Sequence, residues 1–394
     1  MKWKNKGYEL DACAESLVKI FNEKQEKIYI FGAGMWGETL APIFEWYNCF
    51  GSYIDNDVQK QLYGVNGRKV ISFQTYIEGI EKEKGIIIIA ADVRNIPSIV
   101  SQLEAEGLKH ETDYWIYQKF MRDVFPILSF YKYNILYVDT AQICLTERCT
   151  LKCRDCAHGC FAVDPKSDDM KLELAKQSAD SFFSKVDRAK EFVLIGGEPF
   201  LYHDLAEIIA YIGEKYRDRM LIYSITTNGT VVPDKSILDL CKKYEMTIHI
   251  SNYSGTIERL KKKYELLTEC LDDYSVVYTI SKPEQEWMDY GFQSVDRGGE
   301  EKELTEVFDR CKTPCREIRG SKYYYCVMAR SVSDNLGFDV GKDDYLELAD
   351  LDKSDKSIFL EFDLGYSEKG YLDMCNYCNG ADAVQYPLPA AVQI

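Results

Sequence analysis

The stretch Cys149-Thr150-Leu151-Lys152-Cys153-Arg154-Asp155-Cys156 contains three cysteines at the spacing C-x3-C-x2-C, and the rest of the chain is organised around it. A loop this short can direct three thiolates at one point, and thiolates are the soft ligands that iron–sulfur clusters use. A closed cubane takes four cysteines, so three leave one iron without a protein ligand. The stretch therefore predicts a cluster with an open position for a small molecule. A zinc knuckle and unrelated buried thiols are the alternatives.

Strand ends downstream of this loop carry residues suited to contacting a ligand. The apolar run Phe192–Ile195 leads into Gly196-Gly197-Glu198-Pro199, where the glycines let backbone approach closely and the glutamate adds a carboxylate. Two later predicted strands end in small polar residues that can hydrogen-bond a ribose or a carboxylate, Asn228 and Ser251. Ordinary turn chemistry is the alternative for both residues, since Asn-Gly is a common turn dipeptide.

The cysteine loop and the Gly-Gly-Glu-Pro turn together resemble the radical S-adenosylmethionine (radical SAM) superfamily. The resemblance implies a [4Fe-4S] cluster on Cys149, Cys153 and Cys156, with S-adenosyl-L-methionine at the open iron, where it is cleaved to a 5'-deoxyadenosyl radical. It also implies a set of contacts to S-adenosylmethionine from Gly196, Gly197, Glu198, Asn228 and Ser251. The sequence departs from the family at Asp155, where an aromatic residue near the adenine is usual.

A second motif lies near the start of the chain. The apolar run Ile28–Phe31 leads into Gly32, Gly34 and Gly37 at G-x-G-x-x-G spacing, and a helix is predicted to follow. Asp55 ends the next predicted strand, where a dinucleotide-binding fold would hold a ribose hydroxyl. The region resembles Rossmann-like modules of bacterial surface-polysaccharide and nucleotide-sugar enzymes, so a nucleotide or nucleotide sugar is its candidate ligand. The alternative is a degenerate module that keeps its glycines for packing.

Five more cysteines follow in the C-terminal part of the chain: Cys311, Cys315, Cys326, Cys375 and Cys378. One C-x2-C pair plus two further thiols supplies the four ligands of a closed cluster. The group resembles the auxiliary-cluster (twitch) domain of some radical SAM enzymes, a shorter relative of the SPASM domain. We predict an auxiliary [4Fe-4S] cluster on Cys315, Cys326, Cys375 and Cys378, with Cys311 as the alternative to Cys315. A structural zinc site is the alternative metal.

The predicted fold class is α/β, with three domains in 394 residues. Residues 1–135 form a Rossmann-like domain with an aromatic connector, 136–300 a partial (β/α)6 TIM-type barrel, and 301–394 a small cysteine-rich auxiliary domain. The net charge of −16 argues against nucleic acid as a partner. No apolar run approaches the ~20 residues that a membrane span needs. Fourteen cysteines without a signal pattern indicate a reducing compartment, so we expect a cytoplasmic protein.

These predictions converge on a redox enzyme of the radical SAM type. A donor such as flavodoxin or ferredoxin would reduce the first cluster, and the radical would abstract hydrogen from a substrate in a net oxidation (dehydrogenation). The Rossmann-like module favours a sugar, nucleotide-sugar or glycan precursor as substrate, and a ribosomally made peptide is the alternative. A non-catalytic zinc or iron–sulfur interaction protein is the alternative of another class. The sequence does not identify the catalytic base.

Overall fold

The computed structural model describes residues 9–79, 85–291, 297–311, 313, 315–338, 341–352, 355–366 and 368–394. The chain divides into two compact units, one ending at Ile135 and the other running from Leu136 to Ile394. Among the described residues, no helix combines the length and the apolar character needed to cross a bilayer.

The N-terminal unit alternates helices with short strands. In chain order they are α1 (Glu9–Glu23), β1 (Ile28–Phe31), α2 (Met35–Trp46), β2 (Phe50–Ile54), α3 (Val58–Tyr63), β3 (Val70–Ile71), α4 (Phe73–Gly79), β4 (Ile86–Ile89), α5 (Ile96–Ala105), β5 (Tyr114–Ile116), α6 (Tyr117–Lys119) and α7 (Phe125–Tyr133). The strands pair in parallel in the order β3-β2-β1-β4-β5. Every residue of β1 and β4 is buried, as the continuous apolar runs of a parallel sheet predict.

The aromatic stretch that we predicted as a connector belongs to the core of this N-terminal unit. The rings of Phe120 and Phe125 pack edge-on against Phe44 of α2, at centroid distances of 6.2 and 5.5 Å. Such edge-to-face pairs add specific attraction to the burial of large apolar surface. The stretch therefore packs as part of this unit.

The second unit is built on one large sheet. Its elements are β6 (Tyr137–Thr146), α8 (Leu172–Phe183), β7 (Arg188–Gly196), α9 (Leu205–Tyr216), β8 (Met220–Thr227), α10 (Lys235–Lys243), β9 (Thr247–Ile250), α11 (Lys261–Tyr274), β10 (Val277–Ile280), β11 (Glu286–Met288), α12 (Glu301–Arg310), β12 (Cys315–Arg319), β13 (Lys322–Tyr324), α13 (Val327–Leu336), β14 (Tyr345–Glu347), α14 (Lys356–Asp363) and β15 (Pro387–Pro389). The sheet order is β10-β9-β8-β7-β6-β12-β13-β14, with β11 and β15 forming a separate pair.

The run from β10 to β12 is parallel, and β13 and β14 then continue the sheet antiparallel. Six parallel strands with intervening helices are consistent with the predicted partial barrel. The region 136–300 supplies five of these strands, and the sixth is β12, which comes from the region that we assigned to the auxiliary domain. Because β12 pairs with β6, residues 315–319 belong to the same sheet as the strands before them. The predicted three-domain division stays a prediction.

The two faces of this sheet differ in chemistry because side chains alternate along each strand. One face is apolar and buried: Ala141, Ile143, Phe192, Leu194, Tyr223, Ile225 and Ile248. Phe192 packs on Phe182 of α8, so the helices cover this face. The positions between them, in register on neighbouring strands, are largely polar: Thr140, Gln142, Glu191, Ser224, His249, Thr279 and Glu317. We call this second set the polar face.

Candidate functional site

The cysteine loop directly follows β6, and it packs against the end of β7. The backbone N–H of Gly197 donates to Thr146 O at 2.8 Å, and that of Glu198 donates to Arg148 O at 2.9 Å. A Cβ atom at Gly197 would lie 2.4 Å from Arg148 O and 2.8 Å from the Cβ of Cys149. No side chain fits at those distances, so glycine at this position lets the turn and the loop meet.

Asn228 holds the first cysteine from the end of β8. Its Nδ2 donates to Cys149 Sγ at 3.4 Å and to Thr150 Oγ1 at 3.1 Å, and its Oδ1 accepts from Thr230 N at 3.0 Å. The backbone N–H of Leu151 gives Cys149 Sγ a second donor, also at 3.4 Å. Burial raises the pKa of the Cys149 thiol to about 11. Asn228, which we predicted to contact S-adenosylmethionine, therefore also contacts the cysteine loop.

The other two loop cysteines also accept hydrogen bonds at sulfur. Cys153 accepts from Gln393 Nε2 at 3.2 Å, although burial raises its pKa to about 12. A hydrogen bond from the Cys160 thiol, followed by bonds from backbone N–H groups, lowers the pKa of Cys156 to about 7. Donors directed at sulfur stabilise a thiolate, which is the form that binds iron. The donor chemistry of the loop thus fits an iron–sulfur cluster.

Glu198 is fully buried beside this loop. Its carboxyl group accepts from Thr227 Oγ1 at 2.8 Å, from Asn228 N at 2.9 Å and from Phe200 N at 3.2 Å. Burial raises the pKa of Glu198 to about 7, and the hydrogen bonds oppose that rise. The group can therefore take or lose a proton near neutral pH.

Ser251 lies one strand further along the sheet. Its backbone N–H donates to Thr227 O at 2.9 Å, and its carbonyl accepts from the Tyr264 hydroxyl at 3.2 Å. These contacts place Ser251 at the same carboxyl edge as Glu198 and Asn228. The structure therefore brings all the predicted strand-end residues to one edge of the sheet.

Four of the five C-terminal cysteines line one cavity of about 320 Å³: Cys311, Cys326, Cys375 and Cys378. Burial raises the pKa of Cys326, and the neighbouring thiols Cys378 and Cys311 raise it further. The rest of the lining is mainly apolar, with Val307, Phe308, Met328 and Leu372. A mainly apolar pocket with four thiols matches the donor set of a closed cluster.

Cys315 is not part of the cavity lining that the structure describes. It opens β12 and pairs with Thr140 of β6, on the polar face. Burial raises its pKa, and the nearby carboxylates of Glu191 and Asp139 contribute in the same direction. The geometry groups Cys311 with the other three cysteines, whereas we had preferred Cys315. Over the described residues, no three His, Cys, Asp or Glu side chains already stand at metal-binding geometry.

In the N-terminal unit, close packing accounts for two of the three motif glycines. Gly32 has φ of +116°, and a Cβ there would lie 2.4 Å from Ala90 O. A Cβ at Gly37 would lie 2.0 Å from Gly32 O. Gly34, at the start of α2, has no atom of the described part of the chain within 4 Å of such a Cβ.

Asp55 is occupied by contacts inside its own unit. Its Oδ2 accepts from Ala33 N at 2.9 Å and from Lys60 Nζ at 2.9 Å, and its Oδ1 accepts from Asp57 N at 2.9 Å. These hydrogen bonds hold its pKa below the usual value despite partial burial. The carboxylate thus ties the glycine loop to the following helix, a role that the sequence did not reveal.

His249 and Glu191 form a hydrogen-bonded pair on the polar face that we did not predict from the sequence. His249 Nε2 lies 2.9 Å from Glu191 Oε1, and its Nδ1 lies 2.7 Å from Thr279 Oγ1. Ser224 donates to the same Glu191 oxygen at 2.6 Å. The side chain of His249 is 32% exposed, so it is open to a small molecule. The available signal was a polar residue next to apolar ones on each strand: Glu191 comes directly before the run Phe192–Ile195, and His249 lies between Ile248 and Ile250.

A buried arginine was also missed. Arg330, on α13, is 1% exposed and pairs with Glu147 at 2.5 Å and with Glu317. Glu147 precedes the cysteine loop, while α13 begins directly after Cys326. One buried ion-pair network therefore joins the elements that carry the two cysteine groups.

Comparison with known proteins identifies the central part of the chain. Residues 143–269 match the Radical SAM superfamily. An uncharacterized protein of Methanocaldococcus jannaschii is 31% identical over 122 residues, which are 31% of this chain and 41% of that protein. A GTP 3',8-cyclase of Rhizobium leguminosarum bv. trifolii is 26% identical over 108 residues, 27% of this chain and 30% of the cyclase. The chain thus spans less than half the length of these relatives.

Solved structures give distant matches. BtrN in complex with AdoMet and 2-DOIA is 16% identical, with a TM-score of 0.38 over 64% of this chain and 98% of BtrN. Streptococcus suis SuiB bound to S-adenosylmethionine is 18% identical, with a TM-score of 0.30 over 48% and 44% of the two chains.

The match to the Radical SAM superfamily covers the cysteine loop, the Gly-Gly-Glu-Pro turn and the strand ends around them. Residues 143–269 are a radical SAM domain.

Proposed function

We propose that this protein is a radical SAM enzyme that holds a [4Fe-4S] cluster on Cys149, Cys153 and Cys156. The observation that carries the proposal is the close contact of the loop with Gly197, together with the donors directed at each cysteine sulfur. When bound, the cluster and S-adenosylmethionine supply a 5'-deoxyadenosyl radical that takes a hydrogen atom from a substrate carbon. An electron donor such as flavodoxin or ferredoxin is part of the proposal.

The cosubstrate would bind along the strand ends that carry Gly196, Gly197, Glu198, Asn228 and Ser251. In the free protein, the Cys149 thiol donates to Gly197 O at 3.1 Å. If Cys149 binds iron, its thiol has lost this proton. The Gly197 carbonyl would then be free to accept a hydrogen bond from the amino group of S-adenosylmethionine. The ammonium group of S-adenosylmethionine would also favour the ionised form of the buried Glu198 carboxyl group.

We further propose that the second cysteine group holds an auxiliary [4Fe-4S] cluster on Cys311, Cys326, Cys375 and Cys378. The shared cavity supports this set, and it moves our choice of fourth ligand from Cys315 to Cys311. When bound, this cluster supplies an acceptor for the single electron that a net oxidation must release.

The polar face favours a small hydroxylated substrate such as a sugar, nucleotide sugar or glycan precursor. His249 and Glu191, with hydroxyl groups on the neighbouring strands, offer hydrogen-bond partners that match alcohol groups. In a dehydrogenation, His249 would take the hydroxyl proton, while the carbon-bound hydrogen leaves as an atom and one electron remains for the acceptor. A ribosomally made peptide is the alternative substrate.

For the N-terminal unit we propose a Rossmann-like module. Its parallel order β3-β2-β1-β4-β5 supports that fold. The internal contacts of Gly32, Gly37 and Asp55 favour the form in which the motif serves packing, and Gly34 is the position open to a nucleotide.

Metal analysis of cysteine variants tests both cluster sites. The anaerobically reconstituted wild type should hold about eight irons per chain, since each cubane contains four. Replacing Cys149, Cys153 and Cys156 by alanine should leave about four. Cys311→Ser should lower the count to about four as well, whereas the matched variant Cys315→Ser should keep about eight. Zinc in place of iron after anaerobic purification, or loss of iron on Cys315→Ser only, would contradict the assignment.

A further inference from the structure

The segment from Ala390 to Ile394 pairs with the cysteine loop. Gln393 and Cys153 form an antiparallel bridge. Arg154 N donates to Val392 O at 2.9 Å, and Ile394 N donates to Lys152 O at 2.9 Å. The loop is thus held along its backbone on both sides of its middle cysteine.

The side chain of Gln393 is fully engaged in this contact. Its Oε1 accepts from Lys152 N at 2.9 Å. Its Nε2 donates to Ala391 O at 2.8 Å and to Cys153 Sγ at 3.2 Å. A carboxamide oxygen only accepts and its nitrogen only donates, so these partners fix the orientation of the amide. The N–H that faces sulfur cannot be exchanged for the oxygen without breaking two other bonds.

The segment that carries Gln393 is well anchored. Ala391 is fully buried, and Ala390 N donates to Gln285 O at 3.2 Å. Just before it, β15 pairs with β11. Because its backbone is anchored, we expect the Gln393 amide to keep its orientation whether Cys153 is a free thiol or bound to iron.

We propose that Gln393 is a positioning residue for the cluster of the radical SAM domain, acting through Cys153. The inference rests on the proposed function, because it requires Cys153 to bind iron. A thiolate ligand accepts the same N–H bond, and reduction places more negative charge on the cluster and its sulfurs. The bond therefore stabilises the reduced cluster more than the oxidised one, and it raises the reduction potential.

The test is the midpoint potential of the cluster whose paramagnetic resonance signal shifts when S-adenosylmethionine is added. Gln393→Glu keeps the acceptor for Lys152 and removes the donor to sulfur. We expect the equilibrium constant for one-electron reduction to fall about tenfold, which lowers the midpoint potential by about 59 mV. Gln393→Ala, which adds no charge, should move it in the same direction. Gln385→Glu makes the same charge change at an exposed site and should stay within about twofold of wild type.

Thermal unfolding and iron content of each variant show whether the fold and cluster are retained. An equilibrium constant within about twofold of wild type in Gln393→Ala, the variant that adds no charge, would overturn the role of Gln393 alone. A wild-type protein without any signal that responds to S-adenosylmethionine would overturn the proposed function, and this inference with it.

Discussion

Replacing Gly197 by alanine should break the contact between the cysteine loop and the end of β7. The new Cβ would lie 2.4 Å from Arg148 O, 2.7 Å from the Arg148 carbonyl carbon and 2.8 Å from the Cβ of Cys149. Two of these neighbours are backbone atoms, so rotating a side chain cannot relieve the overlap. The loop must move away from the strand, or the strand end must distort.

The cost of this displacement follows from the overlap. Ordinary van der Waals contacts begin near 3.4 Å, so the loop must shift by about 1 Å. Overpacking of this kind costs about 1–3 kcal/mol of the free energy of unfolding. For a unit of this size, each kcal/mol lowers Tm by about 2–4 °C, so we expect a fall of about 2–12 °C. Cysteines 149, 153 and 156 should also lose their cluster, which leaves about four irons per chain.

Calorimetry and iron analysis measure both effects. Gly79→Ala is the control for adding a methyl group, because no atom of the described residues lies within 4 Å of its added Cβ. This control should keep the wild-type Tm within about 2 °C and its full iron content. If Gly197→Ala keeps the Tm and iron content of the control, the close approach of Gly197 to the cysteine loop is not needed for the fold or the cluster.

Three further predictions concern charged groups. In the protein without cluster or S-adenosylmethionine, burial raises the pKa of Glu198 from 4.5 to about 7, so ionising this group opposes folding. The free energy of unfolding, measured by denaturant titration, should therefore fall by up to about 3 kcal/mol between pH 5 and pH 8. Glu198→Gln should lack this fall. Arg330→Met leaves Glu147 and Glu317 without their partner, so it should cost about 3–5 kcal/mol at pH 8. The loss should be smaller at pH 5, since burial already raises the pKa of Glu317 to about 7 and protonation removes the charge. His249→Gln should slow product formation from a panel of nucleotide sugars by about 100-fold or more. The amount of 5'-deoxyadenosine formed in the absence of substrate should stay the same. Equal rates of product formation in the variant and the wild type would exclude His249 as the base.

The features that could be predicted from sequence are local along the chain. The spacing of Cys149, Cys153 and Cys156 fixed the loop, and Gly197 was expected where backbone approaches closely. The parallel strands of both units also followed from short apolar runs. Such signals lie within a few residues of each other, so they survive without knowledge of tertiary packing.

What the sequence left open depends on which strands become neighbours. Cys311 and Cys315 are four residues apart and chemically equal, but Cys311 lines the cavity whereas Cys315 pairs with Thr140 of β6. His249 and Glu191 meet because β7 and β9 both border β8. Gln393 reaches Cys153 from 240 positions away in the chain. No periodicity encodes contacts of this kind.

Cleavage of S-adenosylmethionine decides most directly whether this protein is a radical SAM enzyme. Anaerobically reconstituted protein that carries about eight irons should, after reduction with dithionite, convert S-adenosylmethionine to 5'-deoxyadenosine and methionine. The variant with Cys149, Cys153 and Cys156 replaced by alanine should form neither product. Full iron loading without any 5'-deoxyadenosine would show that this protein is not a radical SAM enzyme.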